Sequence, residues 1–102
     1  MGTIAIDIPR DEIPDFCGRY RVRKLSLFGS VVRDDFTAES DVDVLVEFEP
    51  DAHPTYFTLS AMEDELSRLL GGRKVDVNTP DTLSKYFRDE VLAEAEVLYD
   101  AP

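Results

Sequence analysis

Apolar residues recur at three- and four-residue steps between Pro9 and Tyr20, where Ile13, Phe16, Cys17 and Tyr20 share one face. That spacing predicts an amphipathic helix, with Pro14 disturbing its first turn. Lys24 to Phe28 is a short apolar-rich run that stops at Gly29-Ser30 and reads as a buried strand ending in a tight turn. Val31 to Ser40 is polar and is expected to be irregular. From Asp41 to Phe48 the alternation is strict: Val42, Val44, Val46 and Phe48 lie on one face, and Asp41, Asp43, Leu45 and Glu47 on the other. This is the clearest strand in the sequence. After a loop from Pro50 to Pro54, Leu59, Met62, Leu66 and Leu69 mark a second amphipathic helix closed by Gly71-Gly72. Lys74 to Asn78 reads as a third strand, broken by Thr79-Pro80. Leu83, Phe87, Val91 and Ala95 then follow at four-residue steps as a third helix, and Val97-Leu98-Tyr99 adds a terminal strand. With no repeat and no Gly/Ser linker, residues 1–102 are expected to form one α/β or α+β domain.

This pattern gathers carboxylates. Side chains alternate across a strand, so Asp41 and Asp43 project from the same face, about 7 Å apart along the chain. Two adjacent carboxylates repel, and hard Mg²⁺, which prefers oxygen ligands, is the natural cation to sit between them. Asp76 points away from Val75 and Val77, repeating the apolar-in, carboxylate-out arrangement around Asp43. If the two strands are neighbours, three carboxylates converge and can hold two Mg²⁺ ions roughly 4 Å apart, with Asp76 as general base. Gly29 lets backbone N–H groups approach a phosphate, Ser30 can add a hydroxyl, and Arg33 can pair with triphosphate oxygens.

Composition narrows what such a site would serve. Twenty-two acidic residues against eleven basic ones give a formal charge of −11, which repels a phosphate backbone and disfavours work on long DNA or RNA. The same charge is compatible with a basic protein partner. The one cysteine, Cys17, excludes an internal disulfide and a Cys-rich zinc site, and its place among Ile13, Phe16 and Tyr20 predicts core packing. No apolar run approaches the roughly 18 residues of a membrane span, and the acidic N-terminus lacks the basic start of a signal peptide. A cytoplasmic protein without membrane contact is expected.

Leu27-Phe28-Gly29-Ser30, Arg33 and Ser40-Asp41-Val42-Asp43-Val44-Leu45-Val46 resemble the signature of the DNA polymerase beta-like nucleotidyltransferase superfamily. The chain is most similar to the minimal nucleotidyltransferase (MNT) proteins of prokaryotes, over about Arg21 to Tyr99, with Gly72-Arg73-Lys74-Val75-Asp76 and Val97-Leu98-Tyr99 included. The resemblance implies a small mixed sheet flanked by helices. It also implies a metal-binding, catalytic triad of Asp41, Asp43 and Asp76, with Gly29, Ser30, Arg33 and Ser40 at the nucleotide and ATP as substrate. It implies a partner of the HEPN (higher eukaryotes and prokaryotes nucleotide-binding) class, a toxin RNase that such antitoxins adenylylate on tyrosine. One departure is that Asp34-Asp35 follows Arg33 where the family commonly has Gly, adding negative charge beside the triphosphate. An antitoxin acting by binding alone, or the catalytic subunit of a small-molecule nucleotidyltransferase, are the alternative readings.

The remaining polar features carry less. His53 lies in the predicted loop and reads as a surface imidazole. Glu47 shares the face of Asp41 and Asp43 but lies further along, as a solvated or outer residue. Arg21, Arg23 and Lys24 form a local basic cluster of ordinary solvated character. Tyr56 and Phe57 are expected to pack at the start of the second helix rather than to stack on a base.

Overall fold

The computed structural model describes residues 6–33 and 35–102. Asp34, and the first five residues on which the expectation about a signal peptide falls, lie outside the described residues. In chain order the elements are α1 (Ile13–Tyr20), β1 (Val22–Phe28), β2 (Val42–Phe48), α2 (Tyr56–Leu69), β3 (Val75–Asn78), α3 (Lys85–Glu94) and β4 (Glu96–Asp100). Short 3₁₀ turns cover Gly29–Val32 and Pro80–Thr82.

The first helix starts four residues later than its periodicity predicts. Proline has no N–H and clashes with the carbonyl one turn back, so Pro14 is tolerated only in the opening turn. Pro9 to Glu12 instead forms a turn, closed by the Glu12 N–H donating to the Pro9 carbonyl at 2.9 Å. At the other end Arg21 adopts the left-handed conformation (φ 58°) that stops the helix, so β1 begins at Val22, two residues before the predicted Lys24.

The strands run in the order β3-β2-β1-β4. β1 is antiparallel to both neighbours, and β2 is parallel to β3. A parallel pair needs a crossover, which α2 supplies. One sheet face carries the main core: Leu25 and Leu27 of β1, Val42, Val44 and Val46 of β2, and Val75 and Val77 of β3 close against Ile13, Phe16, Met62 and Leu66 of the helices. The opposite face is covered over part of its length by α3, through a smaller cluster of Phe28, Leu45, Leu83 and Val91. Leu45, the apolar exception on the acidic face of β2, is therefore only 2% exposed.

Local chemistry fixes α2 in place. Thr55 and Thr58 cap its start reciprocally, and Gly71 and Gly72, both at positive φ (78° and 86°), end it as predicted. Glu63 Oε2 accepts the Val77 N–H at 2.8 Å, and Glu65 is held by Arg19 (3.0 Å) and the Tyr20 hydroxyl (3.1 Å), pinning α2 to β3 and to α1. Tyr56 and Phe57 do not pack as expected: they are 82% and 83% exposed. Burial along α2 fades from Leu66 and Met62 through partly buried Leu59, so the first turn stands clear of the core.

Cys17 lies in the core as predicted, and burial pushes its thiol up to about 12. It should resist a thiol reagent at neutral pH in the native protein and react stoichiometrically once denaturant unfolds the chain. Rapid labelling of folded protein would contradict that packing.

Candidate active site

Three strand ends meet on the α3 face of the sheet. β1 ends at Phe28, which registers against Asp43 of β2, and Asp43 in turn registers against Asp76 of the parallel β3. Residues paired this way share a sheet face, with backbones about 4.8 Å apart. Asp41 immediately precedes β2, and its entry is held by the Val42 N–H donating to the Lys74 carbonyl at 2.8 Å. Lys74 Nζ stands 3.7 Å from the Asp41 carboxylate.

Gly29 leaves β1 at φ 77°, in the left-handed region. A Cβ at this position would collide with Asp43 Oδ2 and stand 3.2 Å from its Cγ, so the bare backbone is what allows Asp43 to lie against the turn. Ser30 follows in the same 3₁₀ turn, half-buried. Arg33, just past it, extends its guanidinium between Asp35 and Glu94, 3.5 Å from each carboxylate. The negative surroundings anticipated from the acids after Arg33 are thus present at Asp35.

The electrostatics follow from this crowding. Asp43 is half-buried, and desolvation holds its carboxyl above the ordinary value. The charges of Asp76 and Asp41 push in the same direction, Glu94 adds a smaller push, and Arg33 opposes them.

Ser40 behaves differently from the other candidates. Its Oγ accepts the Thr37 N–H at 2.9 Å and lies 3.1 Å from Thr37 Oγ1, while its own N–H donates to the Thr37 carbonyl at 3.1 Å. The hydroxyl shapes the turn that delivers Asp41. Glu47 pairs across the sheet with Arg23 at 3.1 Å, Arg21 pairs with Asp51, and His53 is exposed, as expected of side chains outside the site.

Glu94 is the residue that the sequence pattern passed over. It closes α3, and its Oε1 accepts the Gly29 N–H at 3.2 Å. The available signal was its position three residues after Val91, which places a carboxylate on the inward face of a helix.

Among the described residues, no three His, Cys, Asp or Glu side chains are already gathered closely enough to hold a metal ion. The donor set nonetheless fits Mg²⁺: only hard oxygens are offered, the backbone register aligns two carboxylates, and Asp43 is raised by burial and then by neighbouring negative charge, the second of which a cation would relieve. The cleft of 780 Å³ between Ile6, Ala38, Leu70 and Arg73 contains none of these candidate residues.

Comparison with known proteins bears on the family and the fold. The family model described as polymerase beta nucleotidyltransferase matches residues 11–102. A protein adenylyltransferase of Thermococcus cleftensis, MntA, is 38% identical over 76 residues, 74% of each chain. A solved structure provisionally named a minimal nucleotidyltransferase superposes with a TM-score of 0.70 at 32% identity, covering 85% of this chain and 86% of that one. A chain from the complex of tri-AMPylated Shewanella oneidensis HEPN toxin with MNT antitoxin shares the fold (TM-score 0.64, 17% identity, covering 90% and 70%). The mixed four-stranded sheet and its helices are those of a nucleotidyltransferase fold. This chain belongs to the polymerase beta nucleotidyltransferase family, as its motifs implied. Among the described residues no helix is long and apolar enough to cross a membrane.

Proposed function

We propose that this nucleotidyltransferase is an antitoxin that transfers AMP from ATP to a tyrosine hydroxyl of a HEPN-class partner. The observation that carries the reading is the register that aligns Phe28, Asp43 and Asp76 on three adjacent strands, directly beside the left-handed turn at Gly29. In support, a relative 38% identical is a protein adenylyltransferase, and the fold is shared with a complex of an MNT antitoxin and an AMPylated HEPN toxin.

In this reading the triphosphate lies over the Gly29–Val32 turn. The Gly29 N–H, the Ser30 hydroxyl and the Arg33 guanidinium orient it, while Ser40 acts through the turn before Asp41. Asp41, Asp43 and Asp76 would hold Mg²⁺, two ions by the carboxylate count, which supplies charge neutralisation at the α-phosphate and at the leaving pyrophosphate. Asp76, exposed near the sheet edge, is reached most directly from solvent and takes the proton of the incoming hydroxyl. A bond forms between that oxygen and the α-phosphorus. The bond to the bridging oxygen breaks, and pyrophosphate leaves with the electron pair. The −11 charge suits a basic partner surface.

The test is incubation of the protein and its co-purifying partner with labelled ATP and Mg²⁺, beside Asp41→Ala/Asp43→Ala, followed by intact-mass measurement. A gain of AMP on the partner with the intact triad only is the expected result. An unmodified partner in a stable complex would point to an antitoxin that acts by binding, and label on a small hydroxyl acceptor without a partner would point to small-molecule transfer.

A further inference from the structure

Glu94 lies where its chemistry is locally unfavourable. It closes α3, where the negative end of the helix dipole disfavours a carboxylate, and it adds to the negative charge felt by Asp43. Two contacts offset these costs, and they come from two of the groups assigned to the nucleotide. Oε1 accepts the Gly29 N–H at 3.2 Å, and Oε2 stands 3.5 Å from Arg33 Nη1. One carboxylate thus spans a backbone donor in a left-handed turn and a guanidinium, the donor pair that recognises a phosphate oxygen.

We infer that Glu94 is an internal mimic of a triphosphate oxygen, which competes with the nucleotide for Gly29 and Arg33 and has to swing aside before ATP is seated. The inference rests on the proposed cradle, which it deepens. Binding of ATP then becomes an exchange of anions at Arg33: the guanidinium is handed from Glu94 to the triphosphate. The carboxylate raises the threshold affinity, so that an anion offering a single weak contact does not displace it, whereas a triphosphate with several contacts does. Asp35, the other acid on Arg33, is exposed and makes no contact with Gly29 among the described hydrogen bonds, so the mimicry is specific to Glu94.

The test is calorimetric titration of the full chain with AMP-PNP, a non-hydrolysable ATP analogue, and Mg²⁺, using wild type, Glu94→Gln, Arg33→Ala and the double variant. Glu94→Gln should bind about three- to tenfold tighter, the size expected from removing one part-exposed charge competitor. It should also show no higher melting temperature without nucleotide but a larger rise with it, a split that a purely structural role would not produce. Arg33→Ala should bind more weakly, and the gain from Glu94→Gln should shrink in its background. If Arg33→Ala weakens binding while Glu94→Gln leaves it unchanged or weaker, the competition is overturned and the cradle stands. If Arg33→Ala changes nothing, or none of the four proteins binds, the cradle falls and the inference with it. Glu94→Ala, which removes the carboxylate altogether, replaces Glu94→Gln should the latter fail to fold, with the same tighter binding expected.

Discussion

Asp43→Asn is expected to abolish AMP transfer while raising the melting temperature of the protein measured without divalent cations. On the proposed site the loss should be at least about 10³-fold, since a carboxylate that helps hold the metal at the reacting phosphate would supply several kcal/mol of charge organisation. The gain in stability has a separate cause. Burial, then the charges of Asp76 and Asp41, hold the folded Asp43 carboxyl above its unfolded value near 3.8. A carboxyl raised on folding keeps its proton to higher pH in the native state than in the unfolded chain. Its ionisation therefore costs stability: nothing below the unfolded value, increasingly as pH rises through the folded one, and fully above that. Asparagine removes this cost. Thermal unfolding in a chelator across pH 4 to 8 should show wild type and variant diverging as pH rises. Convergent curves, or a variant that melts lower at neutral pH, would contradict the crowding of carboxylates described at the site.

Gly29→Ala should damage both fold and activity. At φ 77° an L side chain is strained, and the added methyl would meet the Asp43 carboxylate. Strain of this kind costs about 1–3 kcal/mol. Displacing Asp43 and the neighbouring N–H should lower the transfer rate by about a hundredfold, as small misplacements of reacting groups do. Gly18→Ala is the matched control: the position lies in α1, has no positive φ and leaves open space within 4 Å of an added Cβ, so alanine should be neutral or slightly stabilising. Equal behaviour of the two variants, in melting and in labelled-ATP transfer, would remove the special role given to the Gly29 turn.

Much of this fold was legible because its elements obey simple periods. The alternation from Val42 to Phe48 fixed both a strand and the face on which Asp43 stands, and Gly71-Gly72 marked the end of α2. What local spacing cannot carry is where two elements meet. The pairing of Asp43 with Asp76 depends on a parallel register set by the α2 crossover, so the sequence supported it only as a condition. The late start of α1 follows from a competition that periodicity ignores, between apolar spacing and the missing N–H of Pro14. Tyr56 and Phe57 look like core residues by type, yet burial depends on how far the sheet reaches beneath the helix. Glu94 could be placed on the inward face of its helix by its spacing from Val91, but its role could not be read, because its partners, Gly29 and Arg33, are distant in the chain.

The two outer strands bear on how the molecule behaves in a crowded solution. β3 and β4 each present one side of their backbone outward, which in many sheets templates association with a second copy. Here Glu63 occupies the outward Val77 amide of β3, and β4 carries Glu96 and Asp100 at its ends. These three carboxylates thus set charge along both open edges of the sheet, which disfavours the stacking of one copy against another.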